Sequence, residues 1–155
     1  METLVLGLGN ILLSDEGVGV HVVRSLQEKL PASSSVTLLD GGTLGLALLP
    51  YLERAERVII VDCVRSGGAP GDVVVLAADE ALARYDQAFS AHDLGLPSVV
   101  CLARLRGWRP QQVAVVGIEP GDLSPGLELS TEVLRGFEEA ASLVLRLLEQ
   151  WGAIV

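Results

Sequence analysis

The chain has 155 residues, half of them hydrophobic, and a net charge of -9 at pH 7. This length fits one domain, which we expect to span residues 1–155. The charge argues against nucleic-acid binding, which relies on clustered Lys and Arg, and no apolar run reaches the length of about 18 residues that a bilayer span needs. Two cysteines give no disulfide framework, and the start lacks a signal-peptide pattern. We therefore expect a cytoplasmic protein that stays monomeric or meets a basic partner.

Predicted strands and helices alternate along the chain. The strands are predicted at 4–8, 36–39, 58–61, 72–76 and 112–118, and the helices at 17–30, 44–52, 94–105 and from a cap at Ser130 to near Trp151. The connection before 72–76 is too short for a crossover helix, so that strand can run antiparallel at an edge. Residues 79–89 are ambiguous. The alternation predicts a three-layer α/β domain.

Acidic residues follow three of the apolar runs. Asp15 and Glu16 come soon after the first, Asp40 directly after the second, and Asp62 directly after the third. Since the carboxyl ends of parallel strands share one edge of a sheet, where ligands bind, we expect these carboxylates to meet there. For Asp15, a place in the first turn ahead of a helix is an equally good interpretation. Such a group of carboxylates could hold a cation or polarise a carbonyl.

The glycines of Gly7-Leu8-Gly9 invite a dinucleotide-binding interpretation, but the sixth position of that fingerprint is Leu12 rather than glycine. A nucleotide-binding regulator is therefore disfavoured. Two interpretations remain: a tight turn in which glycine tolerates positive φ, or a close approach of the backbone to bound substrate.

A loop histidine supplies a nitrogen ligand of the kind that a metal site needs. His92 lies in a polar break before a predicted helix, and with Glu16 and Asp62 it makes an oxygen-oxygen-nitrogen set suited to zinc or nickel. Cys63 is the alternative centre, as a nucleophile. Because successive strand side chains point to opposite faces, we expect Cys63 to face the helix layer instead.

Taken together, the motifs resemble those of the hydrogenase maturation endopeptidases, which trim the large subunit of nickel-iron hydrogenases. The matching segments cover nearly the whole chain: Gly7–Leu13, Asp15–Val20, Asp40–Thr43, Val61–Asp62, His92–Leu96 and Val116–Pro120.

The resemblance implies a three-layer α/β/α fold with a twisted, mainly parallel five-stranded sheet. It places the metal ligands on Glu16, Asp62 and His92. Asp40 falls on a position associated with recognition or cleavage, and Gly41 and Gly42 beside it would contact substrate.

The function that the resemblance implies is removal of a C-terminal extension from a hydrogenase large-subunit precursor after nickel insertion, with the nickel carried by the substrate. Glu16, Asp40 and Asp62 are the candidate catalytic groups. The reaction would be metal-assisted hydrolysis; a purely positional role for nickel, with cleavage assisted mainly by Asp40 or Asp62, stays open. The alternative is a non-catalytic, metal-dependent binding or chaperone module for the same precursor. Sequence motifs do not separate the two, because both use the same ligands.

Overall fold

The computed structural model describes residues 1–32, 35–42, 44–84 and 95–154. Its strands are β1 (Thr3–Leu8), β2 (Val36–Gly42), β3 (Arg57–Cys63), β4 (Val73–Ala77) and β5 (Gln112–Ile118). Its α-helices are α1 (Val18–Lys29), α2 (Leu49–Arg54), α3 (Ala78–Arg84), α4 (Leu96–Leu105) and α5 (Thr131–Gln150). Short 3-10 turns lie at Ser14–Gly17 and Gly45–Leu48.

The five strands form one sheet in the order β2-β1-β3-β5-β4. β1 pairs in parallel with β2 and β3, and β3 pairs in parallel with β5. β4 pairs antiparallel with β5 at an edge, as its short preceding connection predicts. The expected mainly parallel, five-stranded α/β fold is confirmed.

A hydrophobic core lies on each face of the sheet. Residues of α1 and α5 pack on one face, around side chains such as Val5, Ile59 and Val116. Residues of α2, α3 and α4 pack on the other face, around side chains such as Leu6, Ile60 and Val115. β1, β3 and β5 are therefore covered on both sides, which explains why their sequences are continuously apolar rather than alternating.

β2 is longer than predicted, and this changes where Asp40 lies. The strand continues through Gly42, with Asp40 paired to Gly7 of β1 and an irregularity in the register between Gly7 and Leu8. Gly41 permits this because a Cβ there would meet the Leu6 Cδ1 atom at 2.5 Å. The strand thus continues past residue 39, where it was predicted to end, and Asp40 is a strand residue.

The helices otherwise follow the sequence pattern closely. The predicted helix at 44–52 divides into the 3-10 turn at Gly45–Leu48 and α2, which contains Pro50 in its first turn. Ser130 caps α5 as predicted, since its side chain accepts a hydrogen bond from the Val133 amide. None of the helices within the described ranges combines the length and apolarity that a bilayer span requires.

Candidate active site

A cavity of about 730 Å³ lies where β1, β2 and β3 end. The ends of these strands contribute Leu8, Gly9, Gly42 and Asp62 to its wall. The described residues that line the rest come from four other segments: Glu16 of the first 3-10 turn, residues 44–48, Arg84 at the end of α3, and residues 95–97. The position agrees with the rule that ligands of parallel sheets bind outside the carboxyl ends of strands.

Two of the predicted site residues, Glu16 and Asp62, line this cavity together. Asp62 follows the buried run of β3 and points to the same face as Ile60 and Val64, as the alternation along a strand requires. One oxygen of its carboxylate, Oδ1, accepts a hydrogen bond from the Cys63 amide at 2.8 Å, which fixes the orientation of the side chain.

Burial raises the pKa of Glu16 above its ordinary value. Removal from water penalises the charged carboxylate, and a cation in the cavity would offset that penalty. The pair of Glu16 and Asp62 therefore offers oxygen ligands for a metal ion, and either carboxylate can also exchange a proton with a bound water.

Asp15, by contrast, is a structural anchor. Its side chain is completely buried and accepts four hydrogen bonds, from the backbone amides of Gly121, Asp122 and Ser130 and from the Ser130 hydroxyl, at 2.7–2.9 Å. Burial by itself would raise the pKa of Asp15, but the hydrogen bonds, those from Ser130 foremost, outweigh it and hold the pKa below its ordinary value. We call Asp15 with Gly121, Asp122 and Ser130 the Asp15 anchor.

Further contacts join the turn that contains Asp15 to the loop before α5. Leu13 pairs with Gly126 as an isolated parallel bridge, and the Ser14 hydroxyl donates to the Ser124 carbonyl at 2.8 Å. Ser14 adopts a φ of 53°, the left-handed region that non-glycine residues rarely occupy. The loop before α5 therefore holds the turn that presents Glu16, a contribution that the sequence pattern did not reveal.

Gly9 and Gly19 each allow a close contact between two parts of the backbone. A Cβ on Gly9, whose φ is 125°, would collide with the Glu16 carbonyl oxygen, and a Cβ on Gly19 would collide with the Val61 carbonyl oxygen. Both interpretations of Gly9 have support, because it has positive φ and also lines the cavity. Its close backbone neighbour in the structure is the Glu16 turn.

Asp40 lies on a different face from the cavity pair. Its carboxylate accepts from the Arg24 side chain of α1, at 2.9 Å from Nε and 2.8 Å from the terminal nitrogen. Strand alternation explains this, since Asp40 shares the α1 face of β2 with Leu38. The expectation that all the strand-end carboxylates meet at one site is therefore wrong for Asp40 and Asp15. A role for Asp40 in recognition or cleavage stays a prediction.

Of the two glycines that follow Asp40, only one lies at the cavity. Gly42 lines the cavity and has a φ of 44°, whereas Gly41 packs against Leu6 on the face that α2, α3 and α4 cover. Contact with substrate is a prediction for both, and the position of Gly42 is the one that suits it.

His92, the third predicted ligand, lies outside the described residues. Among the residues that the structure does describe, no three His, Cys, Asp or Glu side chains come together as a metal site. The residues on either side of the segment 85–94 are informative, however, because Arg84 and Gly95 both line the cavity.

Cys63 faces the helix layer, as predicted, and packs beside the core formed by α1 and α5. Burial, together with the negative charges of Glu16, Asp62 and Asp15, raises the pKa of this thiol to about 12. A thiol in this environment stays protonated at neutral pH, which argues against a cysteine nucleophile.

Sequence reasoning missed the basic and apolar residues of the cavity. Arg84 at the end of α3 adds a cation to its wall, and Leu44 and Leu46 line it while being 51% and 46% exposed. An apolar residue near a glycine-rich turn carries no sequence signal of this kind, and α3 itself fell within the ambiguous stretch. Exposed leucines around a polar cavity are typical of a site that binds another protein.

A family model described as hydrogenase maturation protease matches residues 20–147. The chain belongs to the hydrogenase maturation protease family. It is 37% identical over 153 residues to the hydrogenase 2 maturation protease of Escherichia coli K12, an alignment that covers 98% of this chain and 93% of that protein.

Solved structures of this family have the same fold. The hydrogenase maturating endopeptidase HybD from E. coli superposes with a TM-score of 0.88 at 37% identity, over 98% of this chain and 94% of that one. The [NiFe] hydrogenase maturation protease HybD from Thermococcus kodakarensis superposes with a TM-score of 0.76 at 30% identity, over 95% and 99%. Membership in the family identifies the chain as a peptidase, in preference to a binding module or a nucleotide-dependent regulator.

Proposed function

We propose that this maturation protease removes the C-terminal extension of a nickel-iron hydrogenase large-subunit precursor. Cleavage requires nickel that is carried by the precursor. The observation that carries the proposal is the pairing of Glu16 and Asp62 in one cavity at the ends of β1 and β3. Two carboxylates in the wall of one cavity offer oxygen ligands to a metal ion that arrives with the substrate.

His92 is the proposed third ligand. Gly95, three positions after His92 in the sequence, lines the cavity. An imidazole nitrogen beside two carboxylates is a borderline donor set that nickel accepts, with positions left for ligands from the precursor.

The proposed reaction is hydrolysis of one peptide bond. A water oxygen bonds to the scissile carbonyl carbon, the carbon–nitrogen bond breaks, and a water proton ends on the leaving amine. Glu16 or Asp62 can accept that proton and deliver it to the nitrogen, because both carboxylates face the cavity. Asp40 and Gly42 are proposed to contribute to recognition of the precursor beside the cavity.

A partner of this kind fits the surroundings of the cavity. Leu44 and Leu46 offer apolar contact, while Glu16 and Asp62 favour a cationic centre. Cys63 and Cys101 are free cysteines, which suits the reducing cytoplasm that we propose as the site of the reaction.

The test compares two forms of one precursor that differ only in nickel. We expect the purified protein to contain little tightly bound metal, to cleave nickel-loaded precursor, and to leave nickel-free precursor intact. Elemental analysis of the protease and mass measurement of the products provide both readouts. Stoichiometric resident metal together with equal cleavage of both precursors would overturn the nickel dependence while leaving the protease assignment in place.

A further inference from the structure

The edge strand β2 has a row of peptide groups that face away from the sheet. Among the strands that the structure describes, β2 is hydrogen-bonded to β1 alone. The Thr3 amide donates to the Ser35 carbonyl at 2.9 Å, so by the alternation of a parallel ladder the peptide groups of Val36, Leu38 and Asp40 point outward. The outward Leu38 carbonyl accepts from the exposed side chain of Gln27, Nε2 to O, at 2.8 Å, a contact that an added strand would replace.

Along Val36–Leu39 this edge has neither a charged residue nor a bulge that would prevent another strand from pairing; Asp40 and the register irregularity lie at its carboxyl end. β2 is seven residues long, contains neither Lys nor Pro, and exposes parts of Leu38 and Leu39. The opposite edge, β4, has five residues. None of them is among the described residues that line the cavity of Glu16 and Asp62, which we call the acidic cavity. β2 reaches the cavity directly through Gly42.

A second groove, of about 700 Å³, lies at the other end of β2. Its described lining consists of residues at the end of α1 and just after it, Val36 to Leu38 of β2, and Ala153 with Ile154. None of these lining side chains is charged. The edge of β2 therefore connects an acidic cavity at its carboxyl end with an uncharged groove at its amino end.

We propose that the C-terminal extension of the precursor binds as an added strand along β2, antiparallel to it. The inference rests on the proposed function, because it assumes that the bond to be cut lies in the acidic cavity. From there, the extension can follow β2 only from Gly42 back toward Val36, which makes the pairing antiparallel. Strand addition to a sheet edge is a general way of binding an extended peptide.

The geometry also specifies the side chains of the extension. A strand advances about 3.3 Å per residue, so the seven residues of β2 pair with a segment of similar length. Alternate side chains of that segment point to the α1 face, where the uncharged groove lies. We therefore expect small or apolar residues at every second position in the part of the extension that pairs with Val36–Leu38.

The decisive experiment uses the unmodified protein and synthetic peptides that copy the extension of the candidate precursor. Each peptide carries one backbone N-methyl group, and binding is measured by fluorescence anisotropy. We expect methylation to weaken binding about tenfold at alternate residues, whose N–H groups face β2, and less than twofold at the residues between them. Equal effects at neighbouring positions, or no binding of the unmethylated peptide, would overturn the inference.

A pair of protein variants examines the same contact from the other side. Leu38→Pro removes an N–H that faces away from β1, so the ladder within the sheet is retained, whereas Leu38→Ala shortens the side chain and keeps the N–H. Peptide binding should fall about tenfold in Leu38→Pro relative to Leu38→Ala. Equal binding by two variants whose circular dichroism shows them to be folded would contradict strand addition.

Cleavage of the full precursor distinguishes this inference from the proposed function. If the unmodified protein processes nickel-loaded precursor while the methyl scan lacks a two-residue period, strand addition fails and the proposed function stands. If no precursor is processed, the proposed function fails, and that result does not depend on the scan.

Discussion

Asp15 and Glu16 are neighbours in the chain and have opposite environments. Asp15 is wholly buried and accepts four hydrogen bonds from the loop before α5, which keep its pKa low. Glu16 lines the acidic cavity, where burial raises its pKa. One carboxylate stabilises the turn as an anion, and the other is held in an environment that favours binding a cation or a proton.

The comparison shows why an acidic pair after a strand need not be one functional unit. Because the turn at Ser14–Gly17 is a tight 3-10 turn, consecutive side chains leave it in different directions. Asp15 points to the loop at residues 121–130, and Glu16 points to the cavity. The Asp15 anchor thus fixes the turn, and the fixed turn presents Glu16.

The largest effect should come from neutralising the cavity pair. Glu16→Gln and Asp62→Asn are each expected to lower precursor processing by about 10²–10⁴-fold, because the ligands or the proton acceptor are lost. Glu16→Gln should leave the free energy of unfolding unchanged or higher, since burial disfavours the charge that it removes. Rates from mass measurement and urea unfolding give the two readouts.

Glu128→Gln, at an exposed position, is the matched control and should process precursor at the normal rate. A normal rate in Glu16→Gln as well would contradict the distinction between the two carboxylates.

Removing the Asp15 anchor should act on stability first. Asp15→Ala leaves three backbone N–H groups without their buried acceptor, and we expect the free energy of unfolding to fall by about 3–5 kcal/mol. Asp122→Ala removes an exposed carboxylate that accepts only local hydrogen bonds, from the Ser124 amide and hydroxyl, and should lower the free energy of unfolding much less. Urea unfolding of both variants checks this, and equal losses would show that Asp15 is not an anchor.

The low pKa of Asp15 also predicts how stability depends on pH. Since the pKa is lower in the folded chain than in the unfolded chain, the contribution is complete above the ordinary carboxyl pKa. It is lost as the pH falls below about 4 and passes through the folded value. Thermal unfolding from pH 7 to pH 2.5 should therefore show a smaller acid-induced loss in Asp15→Ala than in the unmodified protein. Parallel curves for the two proteins would contradict the assignment.

The smallest effect is expected from Asp40. Its exposed ion pair with Arg24 should contribute at most about 1 kcal/mol, and its carboxylate lies on the α1 face of β2. We expect Asp40→Asn to reduce processing less than tenfold, mainly through weaker recognition of precursor. Steady-state rates at varied precursor concentration, with Arg24→Ala as the control, measure this. A loss of processing as large as that of Glu16→Gln would contradict this and indicate that Asp40 takes part in catalysis.

Much of the fold could be predicted because its signals are local. The apolar run at Val58–Val61 indicated a strand, and Ser130 indicated the start of α5; the structure confirms both. The end of β2 could not be predicted in this way. Gly41 and Gly42 favour a turn by themselves, and only the pairing with β1 and the contact of Gly41 with Leu6 extend the strand.

The sequence by itself determined the alternation of strands and helices, the antiparallel edge strand and the placement of Glu16 and Asp62 after strands, since these depend on residues close together in the chain. Only the tertiary structure decided that these two share a cavity while Asp15 and Asp40 do not. Asp15 meets Gly121, Asp122 and Ser130 more than a hundred residues away, and Asp40 meets Arg24 across the α1 face. A carboxylate is placed by the partners that folding brings to it, and those partners leave no periodic signal in the sequence.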